Sequence, residues 1–120
     1  LELFSRKRRL FIMVYEENIR KINPLKRDQV LSCIKIAQRS SKIEKLIIFG
    51  SSVRDDCTPS SDVDICLIIN GTTKCIEMYE LARDINYACD YNCDILKYHK
   101  LNNKFKQEIE SKGVVVYELS

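Results

Sequence analysis

Leu10, Phe11, Val14 and Ile19 recur at helical spacing between charged residues, so the first twenty residues read as an amphipathic helix. Asn23-Pro24 then punctuates the chain. Asparagine caps helix N-termini and proline suits the first helical position, which predicts a second helix carrying Val30, Leu31, Ile34 and Ala37 inward and ending near Ser40-Ser41. From Lys45 the pattern changes to a continuous apolar run, Leu46 to Phe49, closed by Gly50, as expected of a buried strand that ends in a tight turn. A second strand, Val63 to Ile69, follows a polar connection that holds Pro59, Ser52, Ser60 and Ser61, and Asn70-Gly71 supplies the next turn. Met78, Leu81, Ala82, Ile85 and Cys89 mark a third helix. Asp94 to Tyr98 reads as a third strand, Leu101, Phe105 and Ile109 as a fourth helix, and Val114 to Tyr117 as a last strand after Gly113.

Strands that alternate with helices predict an α/β (α+β) domain, a small mixed β-sheet flanked by helices. The short connection between the first two strands also allows them to pair antiparallel. A chain of 120 residues with 45% hydrophobic content closes one core, so a single domain over 1–120 is expected, with N-terminal helices in 1–41 and the sheet with its helices in 42–120. Charged residues make up 31% of the chain, yet the net charge is only +3, which gives little steering toward long nucleic acids. The densest basic cluster, Arg6 to Arg9, fits a solvated helix face.

The six cysteines, several of them inside apolar periodic runs, read as core residues and free thiols rather than a disulfide framework. With a single histidine and no C-x-x-C pair, a tetrahedral zinc site is not expected. No apolar stretch approaches the ~20 residues that cross a bilayer and no signal-peptide core is read, so a reducing, cytoplasmic setting without membrane attachment is the expectation. His99 reads as a surface or helix-capping residue rather than a catalyst. Tyr79, Tyr87, Tyr91 and Tyr98 read mostly as core and rim packing, with any of them able to stack on a base.

Candidate chemistry gathers in residues 49 to 69. A buried strand delivers Gly50 and Ser51 to its end, where glycine lets backbone N–H groups approach a ligand and serine adds a hydroxyl. A short helix starting at Ser51 or Ser52 would make this an anion site suited to phosphate. In Asp62-Val63-Asp64, strand alternation sends both carboxylates to one face while Val63 and Ile65 go to the other. Two adjacent carboxylates repel, and a hard divalent cation with oxygen ligands relieves that repulsion. Mg²⁺ is the natural occupant. Asp94, opening the next apolar strand, is the candidate third carboxylate, and Asp90, in a turn where aspartate is common for local reasons, is the runner-up.

The set Gly50-Ser51, Asp62-x-Asp64 and Asp94 resembles the minimal nucleotidyltransferase group of the DNA polymerase beta superfamily, whose signature is Gly-Ser, a gap of roughly ten residues, Asp-x-Asp, and a third Asp on a later strand. The resemblance spans nearly the whole chain. It implies that Gly50 and Ser51 hold the β/γ-phosphates of ATP, that Asp62 and Asp64 ligate one or two Mg²⁺ ions, and that Asp94 shares a metal and helps deprotonate or orient an acceptor hydroxyl. Arg54 would serve phosphate binding or an ion pair. Small members of the group are commonly antitoxins paired with a HEPN-type ribonuclease toxin, which they bind and adenylylate on a tyrosine. The resemblance therefore implies a toxin–antitoxin partner protein.

One departure stands out. The family commonly has Arg-Gly where this chain has Arg54-Asp55, which adds a negative charge and a side chain to the phosphate loop. Two other readings follow: a catalytically weak or inactive nucleotide-binding module that acts by contact with its partner, or a fragment of a small-molecule, aminoglycoside-type nucleotidyltransferase. The expected closing strand at Val114 to Tyr117 weighs against the fragment.

Overall fold

The computed structural model describes residues 16–119. The helix expected over the first twenty residues lies mostly outside them, as does the Arg6 to Arg9 cluster. Residues 16–19 are helical. The Asn23 side chain caps a single 3₁₀ turn, Pro24–Lys26, by accepting from the Leu25 N–H, and helix α1 (Arg27–Arg39) continues from it. Val30, Cys33, Ile34 and Ala37 face inward. Leu31, expected among them, is 40% exposed. The inward residues follow the i, i+3, i+4, i+7 spacing of one α-helical face, which takes Cys33 and leaves Leu31 off it.

Strand β1 (Ile43–Phe49) leads through a 3₁₀ turn, Gly50–Val53, to β2 (Val63–Ile69). Helix α2 (Cys75–Ala88) crosses to β3 (Cys93–Lys97), and helix α3 (Asn103–Lys112) returns to β4 (Val114–Glu118). The four-stranded sheet has the order β3-β2-β1-β4. β1 pairs antiparallel with both β2 and β4, whereas β2 and β3 run parallel, joined by the helical crossover that parallel neighbours need. The mixed sheet flanked by helices matches the sequence expectation.

Strand alternation sorts the core into two layers. On one face Leu46, Ile48, Val63, Ile65 and Leu67 pack against α1 and α2 through residues such as Val30, Ile34, Leu81 and Ile85. On the other face Ile47 and Cys66 meet Ile109 of α3, with Phe49, Tyr98 and Phe105 packed around them. The sheet is thus covered fully by two helices behind and partly by α3 in front. That front face carries the candidate site.

All six cysteines are free. Cys33 and Cys89 lie Sγ to Sγ at 3.1 Å between α1 and the end of α2, both fully buried. Cys75 departs from the core expectation, since it opens α2 on the exposed side. So do three tyrosines: Tyr79, Tyr87 and Tyr91 are 67%, 73% and 74% exposed on the outer face of α2 and the turn after it. No helix among the described residues is long and apolar enough to cross a membrane.

Candidate active site

The end of β1 and the start of β2 build the site together. In the register Phe49 lies opposite Asp64, and Asp64 lies beside Asp94 of β3. Residues paired this way share a face, so Asp64 and Asp94 stand on the front of the sheet with Phe49 between them and α3. Asp62 precedes the strand and is exposed. Its position is fixed by its neighbours: the buried Ser52 hydroxyl donates to the Asp62 carbonyl at 3.5 Å, the Asn92 amide donates to the Ser61 carbonyl at 3.1 Å, and the Val63 N–H donates to the Asn92 carbonyl at 3.0 Å.

Gly50 ends β1 at φ +71, a left-handed backbone that side chains disfavour. A second constraint falls on the same residue, because a Cβ there would overlap the Asp64 Oδ2 and come within 3.1 Å of its Cγ. The glycine and the carboxylate are therefore in direct apposition. The short helix considered at Ser51 or Ser52 is only the single turn Gly50–Val53, so the local donors here are the Gly50-Ser51 backbone and hydroxyl rather than a helix dipole.

Burial, then the neighbouring Asp94 and Asp62 charges, push the Asp64 carboxyl above its ordinary value, with Arg54 opposing. None of the ion pairs among the described residues involves Asp62, Asp64 or Asp94. An oxygen-only set that repels itself and is tied up in no ion pair among the described residues fits a hard divalent ion such as Mg²⁺ in its chemistry. Among the described residues no three acidic, histidine or cysteine groups gather closely enough to hold a metal ion: Asp64 and Asp94 are paired across β2 and β3, whereas Asp62 precedes β2 and lies outside that pairing.

Arg54 follows the turn, exposed, with its Nε donating to Asp56 Oδ1 at 2.9 Å. The hydrogen bond to Asp56 and that residue's charge hold the guanidinium firmly protonated, and the Arg54 charge also reaches Asp64. Asp55 is exposed and its backbone is not left-handed, so an aspartate stands where the family usually has glycine without conformational strain. Asp90 sits at φ 53 in the turn after α2, the local role that aspartate commonly fills. His99 is exposed and its ring lies edge-to-face with that of Tyr98, in keeping with a surface residue.

A cavity of about 550 Å³ opens beside the site, between Gly50, Val53 and Arg54 on one side and Phe105, Glu108 and Lys112 of α3 on the other. Phe49 and Phe105 form an edge-to-face pair at its floor, with ring centroids 6.1 Å apart. Sequence reasoning missed these α3 residues as site neighbours. Phe105 was legible only as a core position of an amphipathic helix, and nothing local links Glu108 or Lys112 to Gly50.

A glycine-serine bend at a strand end, with aspartates level with it on the next two strands of a mixed sheet, defines a nucleotidyltransferase-type domain. The chain belongs to the family described as Polymerase beta, Nucleotidyltransferase, which matches residues 32–120. Among solved structures it is similar to a toxin–antitoxin complex with AMP-PNP, at 22% identity over 75% of this chain and 73% of the other, with a TM-score of 0.61. It is also similar to the MntA-HepT toxin–antitoxin pair, at 21% identity over 76% and 71% of the two chains and a TM-score of 0.56. A third similar structure is that of a tri-AMPylated HEPN toxin from Shewanella oneidensis in complex with MNT antitoxin, at 23% identity over 76% and 73% with a TM-score of 0.52. At these identities the likeness shows a shared fold. No curated protein matches the chain.

Proposed function

We propose that this chain transfers AMP from ATP to a hydroxyl on a HEPN-type partner protein, acting as the antitoxin of a toxin–antitoxin pair. The observation that carries the reading is the apposition of Gly50 and Asp64, with Asp94 level on the next strand. That arrangement sets the Gly50-Ser51 bend beside two carboxylates on neighbouring strands, which supports a phosphate and a metal ion bound at one point of the sheet. Similarity to antitoxin complexes that hold AMP-PNP or an AMPylated HEPN toxin supports the choice of nucleotide and partner.

In this reading Gly50 and Ser51 hold the β- and γ-phosphates, and Arg54 adds a positive charge at the loop. Asp62, Asp64 and Asp94 would hold one or two Mg²⁺ ions, which supply charge neutralisation at the α-phosphate. The acceptor oxygen attacks the α-phosphorus, the bond from that phosphorus to the bridging oxygen breaks, and pyrophosphate leaves on the Gly50 side. Asp94 orients the acceptor hydroxyl and takes its proton. The chain works in the cytoplasm, where ATP and a partner toxin are both available.

Incubating the chain with α-labelled ATP, Mg²⁺ and the product of the neighbouring open reading frame tests the reading. Label should appear on a tyrosine of the partner, and Asp64→Asn or chelation of Mg²⁺ should abolish it. A partner that binds tightly yet never acquires label would sink the transfer reaction. The open spacing of the three carboxylates favours one second reading, a nucleotide-binding module that neutralises its partner by contact alone. Protection of cells by Asp64→Asn would select it.

A further inference from the structure

The turn at Asn23–Lys26 belongs to neither the Gly-Ser bend nor the aspartate set, yet it makes three hydrogen bonds to carbonyls of the segment joining Gly50 to Asp62. The Asn23 N–H donates to the Ser52 carbonyl at 2.7 Å and the Asn23 Nδ2 donates to the Arg54 carbonyl at 2.9 Å. Lys26 Nζ donates to the Pro59 carbonyl at 3.1 Å. One short turn thus grips both ends of the loop.

Lys26 is the unusual member. It is 1% exposed, among the largest fully buried side chains, and it joins none of the described ion pairs. Burying an ammonium is strongly unfavourable even after relaxation, and an apolar side chain of similar size is often neutral or better for stability at such a place. Core packing therefore does not account for a lysine here. What the lysine does, and a methionine cannot, is hold a loop carbonyl shortly before Asp62.

Resting on the nucleotidyltransferase reading above, we propose that Asn23 and Lys26 are positioning residues that hold the Ser51–Asp62 loop in its phosphate-receiving shape. Asn23 turns the Ser52 and Arg54 carbonyls back toward the N-terminal turn, away from the anion. Lys26 fixes the far end, so that Asp62 meets Asp64 at a set distance from Ser51.

The test uses the full chain with Asn23→Ser and Lys26→Met. Serine keeps a helix-capping oxygen but is too short to bridge to Arg54, so it separates the brace from the cap. Amide hydrogen exchange over residues 53–62 should quicken about tenfold in each variant while β1 and β2 keep their protection. Affinity for a fluorescent ATP analogue with Mg²⁺ should weaken by about tenfold. If Lys26→Met does not fold, Asn23→Ser decides alone. Unchanged exchange in the loop overturns the brace. A loosened loop that still binds nucleotide within about twofold of wild type overturns the positioning role and leaves a purely structural tie. Wild-type protein that binds no nucleotide overturns the functional reading as well, which separates that failure from a failure of the brace alone.

Discussion

The carboxylate of Asp64 occupies the space that a side chain on Gly50 would need. A Cβ on Gly50 would overlap Asp64 Oδ2, and the Gly50 backbone sits at φ +71. Any residue other than glycine therefore meets two obstacles at once: the backbone angle lowers stability, and the overlap with Asp64 lowers it further while displacing the carboxylate from its place in the site.

Gly50→Ala should lower stability by about 1–3 kcal/mol, the range for a side chain forced into a left-handed conformation. Urea denaturation measures this directly. Adding Asp64→Gly to Gly50→Ala removes the clash but not the backbone penalty, so the double variant should recover part of the loss. A double-mutant cycle with no coupling would show that the two residues do not touch.

Removing the Asp64 charge should separate function from stability. Burial and the adjacent Asp94 and Asp62 raise the carboxyl's folded-state value, so the ionised form weakens the folded state at neutral pH. Asp64→Asn is then expected to melt higher than wild type without metal and to lose the stabilisation that Mg²⁺ with ATP gives wild type. Thermal scans with and without Mg²⁺ and ATP check both halves.

At the start of α2 the sign is reversed. The Lys74 N–H donates to Glu77 Oε1 at 3.0 Å and the Lys42 ammonium lies 3.6 Å from Oε2. The backbone hydrogen bond, followed by the Lys42 charge, holds the Glu77 carboxyl below its ordinary value. The stabilisation is complete above the unfolded carboxylate value and is lost as pH falls through the depressed folded value. Wild type should melt above Glu77→Gln at neutral pH, and the two melting curves should converge in acid.

Ile65 fixes Asp64 from behind. It is 0% exposed and packs into the layer that joins the sheet to α1 and α2. Ile65→Ala should cost about 2–5 kcal/mol in urea denaturation with an unchanged slope. Because the neighbouring backbone carries Asp64, nucleotide transfer should fall even where the variant remains folded.

The sequence by itself determined the alternation of helices and strands, because each element repeats its apolar residues at a period that only one backbone geometry can bury. It placed Asn23-Pro24 at a helix entry, Gly50 at a strand end, and Asp62, Asp64 and Asp94 at strand starts, since these depend on local backbone preference. Leu31, Tyr79, Tyr87 and Tyr91 escaped such reasoning: an apolar or aromatic residue on a helix is buried only if a neighbouring element arrives to cover it, and that arrival is not encoded nearby. Tertiary structure alone decided that Phe49 faces Asp64 and Asp64 faces Asp94, that α3 walls the cavity, and that the buried Lys26 reaches the loop before Asp62. Each is a contact between residues distant along the chain, and its geometry is set by strand register and helix packing, which one local stretch of sequence cannot specify.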